Sequence, residues 1–384
     1  MFGGFPVYSA LVLFLLSISN NSVHSERVVC GFSVASIERS AEYGFEVADI
    51  PISLCTHVVY DRMEIDLFSD HLFFGDTDDV EKAWKSLAEL KHTKPELKLL
   101  GAVRSPFLMQ VAAEKDSRGT LIENILEYME RYQLDGIELI CSDTGFGPHE
   151  EFYMLIEELK SRFTAAGHST WEVNVLIEIS RETIDRARLC RLADFVHVMG
   201  MGERKPINNE YSSTPMAKAT FDINELKNIT LERALQYWID NSCPADKMVL
   251  GVFFMAQTFT IANGLKNGEE PEELMTLCSL TKGTPLCSYV ELCQIFKESE
   301  WTMGWDDMEG LAPHAIQGDR WIAYENEASV GRKGEIARSK NLAGVFVFSL
   351  SMDDYRNKCG TLYPLTKALI KSFNSTTLES NSTL

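Results

Sequence analysis

The sequence predicts a parallel (β/α)8 TIM barrel with a small α+β insertion between its seventh and eighth strands. Three observations lead there. Short apolar runs alternate with longer amphipathic ones, the pattern of βα units, because a strand buried on both faces reads as a continuous apolar stretch. Eight such runs can be counted. A chain of 384 residues with 45% hydrophobic content can also fill one large closed core.

Taken in order, strands are expected at 28–33, 56–60, 97–103, 136–140, 172–177, 195–200, 248–253 and 344–349. Helices fill the gaps at 78–91, 119–133, 150–166, 181–192, 231–242 and 329–340. A closing helix at 364–373 carries Pro364 in its first turn, where the missing N–H removes no helical hydrogen bond. The interval before the eighth strand is far longer than a βα loop needs. Residues 259 to about 324 contain two short apolar stretches among Thr-, Gly- and Trp-rich pieces, which suits the insertion. In such a barrel the working face lies at the C-terminal ends of the strands.

Ser9 to Ile18 form an apolar run of signal-peptide length, too short to span a bilayer. With small residues around Val23-His24-Ser25, residues 1–25 read as a signal peptide, 26–373 as the folded unit, and the protein as secreted and extracellular. Sequons at Asn228, Asn374 and Asn381 agree with that. Residues 374–384 are Ser/Thr-rich and poor in apolar residues, so a disordered tail is expected. The formal charge of −20 argues against nucleic acid or an anionic membrane as partner. No second long apolar run suggests membrane insertion.

Nine cysteines in a secreted chain imply disulfides with at least one thiol left over. Cys278 and Cys287 are near enough in a loop-rich region to pair, and Cys141 reads as a small buried residue on a core strand. The eight histidines show no ligand spacing, and there is neither a Gly-rich phosphate loop nor a G-x-S-x-G elbow. No metal or cofactor is expected.

The fourth strand carries the chemistry. In Leu134 to Asp143, LDGIELICSD, alternation puts Gly136, Glu138, Ile140 and Ser142 on one face, which lines the barrel and ends at its mouth. This stretch resembles the D-G-x-D-x-D-x-E motif of family 18 glycoside hydrolases, the chitinases. Asp135 and Gly136 match, and Glu138 keeps a carboxylate. Ile140 replaces the inner Asp, and Ser142 replaces the catalytic Glu. Further segments resemble the family in order: VVCGFS, LCTHVVY, LKLLGAV, ADFVHVMGM, YWIDNSCPADKMVLGVFFMAQTFTIA and NLAGVFVFSLSMDDY.

The resemblance implies disulfides Cys30–Cys55 and Cys293–Cys359, leaving Cys141, Cys190 and Cys243 spare. It also implies lost catalysis. In the family the Glu protonates the glycosidic oxygen while the substrate's own acetamide attacks, an exception to the two-carboxylate scheme. Serine has no ionisation near neutral pH with which to do this. The family's Tyr and Asp after the sixth strand align with Met201 and Gly202, and its Tyr and Arg after the seventh with Met255 and Gln257. Its eighth-strand Trp aligns with Phe348, and its Gly-Gly-Trp after the third strand with Arg104-Ser105-Pro106. No catalytic residue is therefore assigned.

Trp305, Trp321 and Phe348 fall where family members stack sugar rings, with Trp301 close in sequence; packing of the insertion is the competing role. Phe32 sits at a family cleft position, although core packing suits it better. Glu138 reads as a buried structural carboxylate, and Asp143 and Glu178 as ordinary polar residues. The expected function is a non-hydrolytic chitinase-like protein that binds chitin or N-acetylglucosamine oligomers, or a protein receptor. The alternatives are a growth-factor-like protein without sugar binding and a weakly active chitinase.

Overall fold

The computed structural model describes residues 27–375, apart from 38, 40–42, 67–70, 74–77, 142–149, 180–183, 205–211, 216–217, 220–228, 261–272, 275–276, 279–285 and 306–312. Ser142, Asp143, Asn228 and Asn381 lie outside the described residues, as do the proposed leader and nearly all of the tail. The side chain of Met201 is likewise outside them.

Eight parallel strands form the centre: β1 (Arg27–Ser33), β2 (His57–Asp66), β3 (Lys98–Val103), β4 (Gly136–Ile140), β5 (Glu172–Glu178), β6 (Val196–Met199), β7 (Met248–Phe253) and β8 (Gly344–Phe348). Each pairs with the next, and β8 returns to β1 with Arg27 opposite Gly344, so the sheet is closed. The predicted barrel is present. β2 runs past the expected Tyr60 to Asp66, and its overhang pairs antiparallel with His71–Phe73.

The helices are α1 (Asp78–Thr93), α2 (Leu108–Ala113), α3 (Lys115–Arg131), α4 (Glu150–Ala165), α5 (Arg186–Leu192), α6 (Leu231–Asp240), α7 (Tyr289–Glu298), α8 (Glu327–Ser339) and α9 (Pro364–Asn374). α5 begins later than residue 181 because Asp185 caps it, accepting from the Arg188 N–H at 2.9 Å. Thr230 and Asn326 cap α6 and α8 in the same way. Asn374, named for its sequon, is the last residue of α9 and is exposed.

The Asp-Gly that opens β4 is fixed by packing. Asp135 accepts the Leu99 N–H at 2.8 Å and pairs with Lys91 at 2.7 Å, tying β4 to β3 and α1. A Cβ on Gly136 would stand 2.6 Å from Leu100 and 2.7 Å from the Glu172 carbonyl, so only glycine lets the strands approach this closely.

Four disulfides are present: Cys30–Cys55, Cys190–Cys243, Cys278–Cys287 and Cys293–Cys359. Cys190 and Cys243 are thus bonded rather than spare, which corrects the sequence reading. Each lies a few residues before one of two parallel neighbours, β6 and β7, so they enter the barrel side by side with their Cα atoms 5.3 Å apart. Cys141 remains as a buried thiol.

The N-terminal end of the barrel interior is a polar layer. Arg27, His57 and Asn174 converge on Glu172, with Asn174 donating at 3.0 Å and His57 Nε2 at 3.5 Å. Burial, joined by the Arg27 charge, pushes His57 down to about 4. Burial alone would raise Glu172, but hydrogen bonds from His57 and Arg27 hold it well below the ordinary carboxylate range. His57 protonates in the unfolded chain near 6.5 and in the folded chain near 4, so stability is complete above that window and falls as pH drops through it. The loss is at most about 3 kcal/mol. Urea unfolding between pH 7 and 4 should show that slope, reduced in His57→Gln.

The insertion starts at Ala256, slightly before the expected 259. Its antiparallel sheet runs through Ala256–Thr260, Arg320–Ala323, Pro313–Gln317 and Thr302–Trp305, with the last strand at an edge among the described residues. Buried Leu292 and partly buried Ile295 and Phe296 of α7 pack with Ala256, Ala315, Ile322 and Tyr324 from one side of that sheet.

Candidate functional site: the mouth of the barrel

Alternation along the strands sends Arg27, Val29, His57, Val59, Leu100, Ala102, Glu138, Ile140, Asn174, Leu176, His197, Met199, Val249, Phe346 and Phe348 into the barrel. Above the polar layer comes one hydrogen-bonded pair. Glu138 Oε1 lies 2.5 Å from His197 Nδ1, both side chains fully buried. The outer atoms of the pair, Glu138 Oε2 and His197 Nε2, have no partner among the described residues. Nearer the mouth the interior is apolar: Ile140 is buried in one cluster with Leu100, Ala102, Leu176, Met199, Phe346 and Phe348.

This placement decides what Glu138 can do. It sits below an apolar layer, committed to a histidine on β6, and Ile140 offers no carboxylate to pass a proton upward. Among the described residues, the column of acids that the motif would build is interrupted after its first member.

At the mouth itself, Phe348 stacks on Phe253 with ring centroids 5.6 Å apart and planes 14° off parallel. Arg104 follows β3, and its guanidinium carbon stands 5.6 Å from the Phe348 centroid. Its Nε is 3.9 Å from Asp61 of β2. A cation therefore stands over the aromatic floor, and Phe348, packed on Phe253 and Phe346 as well, is only 8% exposed.

The other sequence candidates disperse. Phe32 points outward, fully buried against Phe45 and Tyr60 between barrel and helices, so it does not line the mouth. Met255 packs on that outer core. Trp321 and Gln257 share one face of the insertion sheet with Phe259 and His314, where Trp321 lies 5.3 Å from Phe259 and 5.9 Å from His314. Trp305 pairs across to Pro313 and shares the opposite face with Met303, so Trp305 and Trp321 cannot grip one ligand from one side. Trp301 packs edge-on to Phe296 of α7. Sequence reasoning missed His197 and singled Arg104 out as a departure and, with Met201 and Met255, as a hint of a filled cleft. The inward parity of His197 on β6 was a usable signal, but its partner stands 59 residues away. Among the described residues no cluster of metal-ligating side chains occurs, and no helix is long and apolar enough to cross a membrane.

A closed barrel with an α+β insertion before its last strand, and its distinctive residues on β4 and at the strand ends, defines a (β/α)8 protein of glycosidase type. The chain belongs to the glycosyl hydrolases family 18, whose family model matches residues 27–353. It is 26% identical over 405 residues to an endochitinase of Manduca sexta, covering 96% of this chain and 71% of that protein. It is 24% identical over 384 residues to human chitinase-3-like protein 2, covering 95% and 96%. Among solved structures, the Ostrinia furnacalis Group IV chitinase superposes with a TM-score of 0.80 at 25% identity, covering 91% of this chain and 100% of that one. Human YKL-39, described as a pseudo-chitinase with retained chitooligosaccharide binding properties, shares the fold with a TM-score of 0.81 at 22% identity and the same coverage.

Proposed function

We propose that the protein is a secreted, non-hydrolytic member of the family that binds chito-oligosaccharides at the barrel mouth without cleaving them. The observation that carries this is Ile140: a buried apolar side chain, in an apolar layer, where the motif requires the acid that orients the substrate's acetamide. By sequence Ser142 stands where the proton donor would be. Losing such an acid typically costs ~10²–10⁴ in rate, and losing its partner costs more. Retained sugar binding in YKL-39 supports a binding role that outlives catalysis. The four disulfides and the leader-like residues 1–25 support secretion, and the sequon at exposed Asn374 supports glycosylation.

Calorimetric titration with a chitin hexasaccharide, followed by chromatography of the sugar, tests this. The expected result is saturable binding with the sugar intact, weakened about tenfold in Phe348→Ala. Cleaved sugar would overturn the non-hydrolytic reading.

A second reading rests on Arg104. Its guanidinium over Phe348 fills the mouth from within, which favours a protein receptor over a sugar. No heat from the wild type at millimolar sugar, with binding appearing in Arg104→Ala, would support this self-filled mouth.

A further inference from the structure

The insertion carries a feature that neither sugar binding nor the barrel explains. Thr302–Trp305 is an edge strand of its sheet, bonded among the described residues to Pro313–Gln317 on one side only. Edge strands are normally blunted by charge, proline or a covering element, since their free N–H and C=O groups recruit other strands. This one reads Thr-Met-Gly-Trp, with no charge and no proline. Met303 is 50% exposed and Trp305 41%, two of the four large apolar side chains exposed among the described residues. They are two apart, on one face, where the Tyr324 hydroxyl donates to Met303 Sδ at 3.5 Å. Gly304 lets the His314 ring of the neighbouring strand lie close against it, because a Cβ there would meet that ring at 2.3 Å.

A depression of about 730 Å³ adjoins the start of this strand, lined among others by Phe296, Glu298, Glu300, Trp301, Met303 and Gln317. Its charge is negative. Glu298 and Glu300 are exposed and form no ion pair among the described residues. The C-terminus of α7, with its outward carbonyls, ends at Glu298 and adds a partial negative charge. The one lysine in the lining, Lys297, is turned to the Lys358 carbonyl at 3.1 Å. Trp301 already takes a guanidinium, that of Arg320, 5.8 Å from its ring centroid.

We propose that this edge docks an extended, basic segment of a partner protein. The segment adds a strand along 302–305, lays apolar side chains on Met303 and Trp305, and seats a Lys or Arg between Trp301 and the two glutamates. Charge selects the occupant: a second copy of a chain with net charge −20 would bring the same carboxylates to the same edge.

The test uses the full mature chain and a fluorescent ten-residue peptide of alternating lysine and valine, read by anisotropy at physiological salt. Saturable binding is expected, with none for the matching glutamate–valine peptide. The variant Met303→Ser with Trp305→Ser should weaken it by about tenfold or more, as should Glu298→Lys with Glu300→Lys. All four positions are exposed, and unchanged circular dichroism would show the variants folded. Equal binding by the Met303→Ser/Trp305→Ser variant would overturn the proposal, because general attraction to an acidic surface would then explain the peptide. Absence of wild-type binding would overturn it too. A wild-type dimer in sedimentation that this variant dissolves would assign the edge to a second copy instead. None of these outcomes bears on sugar at the barrel mouth.

Discussion

Installing both carboxylates of the motif that the chain resembles, Ile140→Asp with Ser142→Glu, is expected to leave a chitin hexasaccharide uncut and to destabilise the protein. Position 140 is 3% exposed and surrounded by Leu100, Ala102, Leu176, Met199 and Phe346. An aspartate there loses its hydration, and the carboxyl below it on the same face, Glu138, can only accept a hydrogen bond from it, so burial favours the protonated form. It will stay protonated to a higher pH in the folded state than in the unfolded chain. The penalty is therefore small in acid and grows as pH rises above the ordinary aspartate value near ~3.9. The Ser142→Glu single variant separates the effects, being free of that penalty at 140. Above it, Arg104 would still cover Phe348, one of the other departures from the family pattern that the resemblance implies. Sugar assays with thermal melts at pH 5 and 8 read both halves. Turnover by the double variant would show that these other departures are silent.

Lys333→Met should be among the most destabilising single changes, costing about 3–5 kcal/mol at neutral pH. Lys333 of α8 is ion-paired with Glu325, which also accepts from the Ser329 hydroxyl at 2.5 Å; all three side chains are essentially inaccessible. Burial already pushes Glu325 up, and the Lys333 charge pulls it back. Without the lysine, the carboxyl must ionise alone in the core or remain protonated. The variant should accordingly recover stability as pH falls, opposite to the slope set by His57. Glu325→Leu with Lys333→Met should restore most of the loss, since exchanging a whole buried pair for packed apolar groups is often neutral. Urea titrations at pH 5 and 8 distinguish the three proteins. A neutral Lys333→Met would mean the pair contributes nothing.

The barrel was legible because its signal is local. A strand buried on both faces must be apolar throughout, and a crossover helix must be amphipathic, so each βα unit announces itself within about 40 residues. The Ile140 departure was legible for the same reason: parity along one strand names the inward residues. What depends on two strands at once was not. Trp305 and Trp321 were both candidates for sugar stacking, and only the pairings Trp305–Pro313 and Ile316–Trp321 place them on opposite faces. Phe32 occupies an aligned position, yet parity sends it outward with Cys30 and Val28. Cys190 and Cys243 could have been paired from their matched offsets before β6 and β7, once those strands were taken as neighbours. The link between His197 and Glu138 needed the closed barrel itself.

The Cys293–Cys359 bond joins α7 of the insertion to the segment just before α9, spanning 66 residues that include the docking edge, α8 and β8. A protease that cuts the chain once anywhere inside that span does not release a fragment. Digested protein would migrate at full mass on a non-reducing gel and split only after thiol is added. A cut between Cys243 and Cys278 crosses none of the four bonds, and would leave the two pieces held only by noncovalent contacts, strand pairing around the barrel among them. The insertion is therefore covalently fastened to the end of the chain, and its attachment survives damage that would cost an unbridged insertion its edge strand.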